Sequence, residues 1–193
     1  MFDYVREDID RGVAWHSIPG IRKRLGPRAE AAAAIVLSPS LMVVLIYRFQ
    51  VWARSHHLPL LPAICRQLTM SIAGVSIGDR VHIGPGLLLN HGHVVIDGET
   101  YIGGLCSIAP FVTIGLNTGG PDSSIQGPDI GRFVFIGTGA KILGNIRVGD
   151  NCRIGANAVV ITGIPDNCTA VGVPAKAIPH ESPLGPAAKQ SND

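Results

Sequence analysis

Two imidazoles stand two residues apart in the run Leu89-Asn90-His91-Gly92-His93, with only a glycine between them. A neutral imidazole titrates near working pH. It can take the proton from an alcohol while the oxygen attacks an acyl carbon, an effect worth roughly 10²–10⁴-fold. The acid Glu99 follows closely. Cys65, Cys106, Cys152 and Cys168 form no CxxC pair, and no Cys/His cluster has zinc spacing, so no metal is expected. They read as buried, reduced thiols of a cytoplasmic protein. His82, inside a repeat, and Cys106, beside an inward position, read as structural.

A periodic chain must position these histidines. Ile77-Gly78, Ile83-Gly84 and Leu89-Asn90 recur every six residues. The register slips by one to Ile96-Asp97, then resumes through Ile102, Ile108 and Ile114. It returns at Ile130, Ile136, Ile142, Val148, Ile154 and Val160. A helical period of 3.6 cannot hold this register. A short repeat unable to bury its own aliphatic residue must stack on its neighbours. Each hexad then supplies one short strand, three strands close a triangular coil, and coils stack at ~4.8 Å. The fold class is therefore mainly β, a parallel β-helix over 71–178. A loop rich in Gly, Pro, Asp and Ser leaves the coil at 116–129.

Residues 1–70 read as α-helical, with Met42, Leu45, Ile46 and Phe49 at helix spacing and Ser38-Pro39 as a cap and first turn. Residues 179–193 read as a flexible tail. The high glycine content and few aromatics suit tight turns around a core of branched aliphatics. A formal charge of +2 gives no field for nucleic acid. The charged start, Met1 to Asp10, lacks a signal-peptide core. The uncharged stretch Ala31 to Tyr47 is shorter than the ~20 residues of a membrane span, and Ser38-Pro39-Ser40 divides it. No integral membrane segment is expected, and peripheral contact is the lesser reading.

These hexads, with GTGAKILGNIRVGDNCRIGANAVV and the ending VGVPAK, resemble the left-handed β-helix acyltransferases, above all the serine O-acetyltransferase branch. The likeness covers roughly Ser71 to Ile178. It implies a left-handed coil, a helical N-terminal region, and a homotrimer or dimer of trimers with acetyl-CoA bound between subunits. The family's catalytic stretch, L-D-H-A-T-G-I-V-V-G-E, falls on Leu89 to Glu99. It makes His91 the base and puts Asn90 and Glu99 in the catalytic set. The CoA arm would run against Gly115, Thr138, Gly139, Ala156 and Asn157, with Lys176 meeting a phosphate. His93, Asn117 and Gln126 would touch the acceptor.

The departures concern the acceptor. The family's orienting Asp falls on Ser76, and the Asp before the histidine is Asn90. Its Arg-His-Pro-Lys element is Gln126-Gly127-Pro128-Asp129 here, and the loop gains Asp122 and Asp129. A carboxylate that loses its Arg partner loses a strong charged hydrogen bond. Serine therefore has a rival in a sugar-like hydroxyl acceptor. A non-catalytic scaffold is a second rival. A γ-class carbonic anhydrase is a third, but His82, His91 and His93 do not reproduce its histidine spacing.

Overall fold

The computed structural model describes residues 2–16, 23–24, 26–117 and 125–180. Four helices precede the strands among these residues: α1 (Phe2–Trp15), α2 (Pro27–Leu37), α3 (Pro39–Ser55) and α4 (Leu61–Ala73). Ser38 caps α3, its hydroxyl accepting from the Leu41 amide at 3.2 Å, and Pro39 fits the first turn. The same break sets α2 and α3 at 91°, so the apolar stretch is bent rather than continuous. Among the described residues no single helix is long and apolar enough to cross a membrane.

Fifteen strands, β1 to β15 in chain order, follow among the described residues. Sheet A holds β1 (Ser76–Ile77), β4 (Val95–Ile96), β7 (Thr113–Gly115), β10 (Lys141–Leu143) and β13 (Val159–Val160). Sheet B holds β2 (His82–Ile83), β5 (Glu99–Ile102), β8 (Gln126–Ile130) and β11 (Arg147–Val148). Sheet C holds β3 (Leu88–Leu89), β6 (Ser107–Ile108), β9 (Phe135–Ile136), β12 (Arg153–Ile154), β14 (Cys168–Gly172) and β15 (Ala175–Pro179). From β1 to β10 each strand pairs in parallel with the third one on, which makes a three-sided coil. Ile96 pairs with Ile114, Ile102 with Ile130, and Leu89 with Ile108, all buried. These inward ladders are the core expected from the hexads. Truncating one rung to Ala would cost roughly 2–5 kcal/mol.

The helices are bolted to the first coil by a buried ion pair. Arg48 on α3 donates to Asp8 on α1 at 2.7 Å, and also to the carbonyls of Ile83 and Gly84 at 2.6 Å. Asp8 in turn accepts the Leu87 amide at 3.0 Å. Gly12 lets α1 approach α3, because a Cβ there would meet Leu41 Cδ1 at 2.7 Å.

Three expected boundaries move. Helix α4 runs to Ala73, past residue 70, and Gly74 in the left-handed region (φ 64°) ends it. Strand β8 begins at Gln126, so residues 126–129 belong to the coil, with Gly127 and Pro128 buried, and not to the extruded loop. The coil ends in an antiparallel hairpin, β14 with β15, that reaches Pro179. His180 Nε2 lies 3.0 Å from the Asn151 carbonyl oxygen, so the expected tail does not begin at residue 179. Residues 118–124, including Asp122, and 181–193 lie outside the described residues.

Candidate active site

The one-residue slip is spent at the edge where sheet C turns into sheet A. Leu89 and Ile96 stand seven positions apart, while their partners on the next coil, Ile108 and Ile114, stand six apart. The surplus residue lies in Asn90–His93. Gly92 packs on the end of α4 so closely that a Cβ would strike the Ala73 carbonyl oxygen. The His93 amide donates to that oxygen at 2.8 Å. His91 is left exposed on the bulge, and its ring makes no hydrogen bond with the described residues.

Backbone hydrogen bonds place Thr138, Gly139, Ala156 and Asn157 on the same edge. The amide of Phe111 donates to the His93 carbonyl, that of Gly139 to Pro110, and that of Asn157 to Thr138. His91, Pro110, Thr138 and Ala156 thus occupy successive coils, with His93, Phe111, Gly139 and Asn157 just beyond them. Three coil spacings of ~4.8 Å put Ala156 about 14 Å along the edge from His91. Thr138, Gly139, Ala156 and Asn157 give the later coils of that track small side chains, whereas Phe111 stands exposed on the second.

The second histidine is differently held. The His93 ring lies parallel to Phe111, centroids 5.2 Å apart and planes within 8°. Its Nδ1 also abuts Gly74, where a Cβ would come within 2.7 Å. Phe111 and Lys141 carried no signal in the sequence. Lys141 Nζ donates to the carbonyls of Phe111 at 2.9 Å and Gly139 at 3.0 Å, which ties neighbouring coils at this edge.

Glu99, Gly115, Asn117 and Gln126 stand apart from His91. They lie at the edge where sheet A turns into sheet B, because each falls between a sheet A strand and the following sheet B strand, or at the junction itself. There Glu99 meets Arg80 at 3.5 Å, so within one chain it does not orient the His91 imidazole. Gln126 Oε1 accepts from Asn145 Nδ2 at 2.6 Å, a partner sequence reasoning missed. Gly115 is buried, stacked on the Asp97 backbone. Lys176 sits exposed on β15, opposite Val171, at the far end of the coil. Asn90 donates its amide to Ile108 at 3.0 Å, while its side-chain Oδ1 is buried without a partner among the described residues.

Residues 127–162 match the family of the bacterial transferase hexapeptide (six repeats), and residues 69–91 match the hexapeptide repeat of succinyl-transferase. A serine acetyltransferase of Synechococcus elongatus is 36% identical over 154 residues, covering 79% of this chain and 62% of the relative. One from Helicobacter pylori is 39% identical over 145 residues, covering 75% of this chain and 84% of the relative. The chain belongs to the serine acetyltransferase family. It spans less than two thirds of the Synechococcus relative's length. A solved serine acetyltransferase in complex with CoA aligns at TM-score 0.71 and 28% identity, covering 91% of this chain and 68% of that one.

Gly127 stands where the serine acetyltransferase pattern has a histidine, and a Cβ there would strike Thr100 Oγ1. That hydroxyl is fixed by donation to the Asp97 carbonyl at 2.7 Å. A side chain at 127 would therefore require the Thr100 side chain to move. Among the described residues no group of three or more His, Cys, Asp or Glu could hold a metal ion.

Proposed function

We propose that this chain is an acetyl-CoA-dependent serine O-acetyltransferase with His91 as general base, working as a homotrimer of left-handed coils in the cytoplasm. The observation that carries the reading is the single edge that aligns His91 with Thr138, Gly139, Ala156 and Asn157. A narrow thioester arm lying along that edge brings its acyl carbon to the His91 imidazole. Lys176, at the end of the same coil, is the cation for a CoA phosphate.

The chemistry follows from the groups present. The acceptor hydroxyl gives its proton to the His91 imidazole as its oxygen adds to the thioester carbonyl. Backbone N–H groups of the edge face the developing oxyanion. The carbon–sulfur bond then opens, and the imidazolium returns the proton to the departing thiolate. The products are an O-acetyl ester and free thiol. Asn90 Oδ1, next to His91, is a buried acceptor without a partner among the described residues. The edge carrying Asn117 and Gln126 is one face away from His91. A threefold assembly that sets it against the His91 edge of the next subunit would complete the acceptor site.

A second reading of the acceptor is favoured by one observation, the Thr100 hydroxyl packed where a side chain at Gly127 would begin. Without a basic pair at 126 and 127, a neutral polyhydroxylated acceptor suits the site better than a free amino acid. Thiol release from acetyl-CoA, measured with L-serine and with a panel of sugars, decides between them. Release with any acceptor should fall about a hundredfold or more in His91→Ala. Full activity in that variant would remove His91 from the mechanism, and no release with any acceptor would leave a non-catalytic scaffold.

A further inference from the structure

A second concavity lies away from the His91 edge, between the helices and the outer surface of sheet B. It encloses about 650 Å³, within the range of small-ligand sites. Tyr4 and Trp52 contribute from the helical side. The floor is a column of three outward side chains on adjacent coils, His82, Tyr101 and Asp129, paired rung to rung. The His82 and Tyr101 rings stack at 5.0 Å and within 12°, so each covers one face of the other, and Tyr101 is 53% exposed.

The polar groups restrict what this groove can take. Arg48 reaches the groove, but its guanidinium is already committed to Asp8 and to two backbone carbonyls. The Asp129 carboxylate is exposed and makes no hydrogen bond or ion pair with the described residues. A phosphorylated or carboxylated ligand would meet this anion with no uncommitted guanidinium or ammonium among the lining residues. A neutral ligand with a flat C–H face and several hydroxyl donors fits: the face covers an aromatic ring, and the hydroxyls donate to the carboxylate.

We propose that this groove binds a neutral saccharide, one pyranose ring stacked on Tyr101 with its hydroxyls donating to Asp129. The site is separate from the acetyl-transfer edge and does not depend on that reaction.

Titration calorimetry on the full chain, without acetyl-CoA, tests it with maltose, cellobiose and N,N′-diacetylchitobiose as probes. At least one should saturate with Kd on the order of 1 mM, and Tyr101→Ala and Asp129→Asn should each weaken it about tenfold. Tyr101→Phe, which keeps the ring, should bind like the parent, and His91→Ala should leave binding unchanged. Three results would each overturn the proposal: no saturation with any probe, unweakened binding in Tyr101→Ala, or loss of binding in His91→Ala. The last would place the sugar at the acetyl-transfer edge.

Discussion

His93 is stacked face to face on Phe111, 5.2 Å between centroids, whereas His91 has no such neighbour among the described residues. The two histidines therefore separate by role. His93→Ala should lower stability by roughly 0.5–1.5 kcal/mol through the lost ring pair, with thiol release within a few-fold of the parent. His91→Ala should leave the urea midpoint unchanged while thiol release collapses. A collapse of release in His93→Ala alone would move the base to that position.

Gly92 tests how the bulge is held. A Cβ at this position meets a backbone carbonyl, Ala73, which cannot rotate away. Gly92→Ala should cost about 1–3 kcal/mol in urea unfolding, the usual penalty of overpacking. The same change should lower acetyl transfer, because relief of the clash displaces His91.

The buried thiols predict a stability change at alkaline pH. Burial pushes Cys106 up to about 11 and raises Cys65 and Cys152 as well. In the unfolded chain these thiols ionise near their ordinary value. Their contribution is fully present below the unfolded pKa, near 9, and is lost as pH rises towards 11. Cys106 alone accounts for an effect on the order of 2–3 kcal/mol across that window. Urea unfolding from pH 8 to 11 should show the decline, and Cys106→Ala should flatten it. A thiol reagent at pH 8 should label native Cys106 far more slowly than the unfolded chain.

The Asp8–Arg48 pair fixes the helices to the coil and should be costly to break from one side. Asp8→Ala strands a buried guanidinium and orphans the Leu87 amide, a loss of about 3–5 kcal/mol by urea or thermal unfolding. The double change Asp8→Ala/Arg48→Met should recover part of it.

The sequence made the coil legible because the core is written one aliphatic residue per strand, so Ile96, Ile114 and Ile142 announce their own ladder. The slip at Leu89 to Ile96 was legible for the same reason: a six-residue period exposes a seventh. Glu99 and His91 are near along the chain, yet within one chain a whole face of the prism separates them. Gln126 looked like loop through its Gly-Pro-Asp neighbours, yet pairing with Glu99 draws it into β8. The contact between Ala73 and His93 joins a helix end to a turn, and no local period records it. Asn90 illustrates the remaining gap, since a buried, unanswered oxygen is visible only once its surroundings are built.

The coil treats the chain like a reading frame. One residue added within a strand would turn every later side chain inside out, so length can change only where a strand ends. Two irregularities of length, the surplus residue in Asn90–His93 and the excursion after Leu116, fall at edges of the prism. Variation in what the protein acts upon can therefore accumulate at those edges while the aliphatic frame stays in phase.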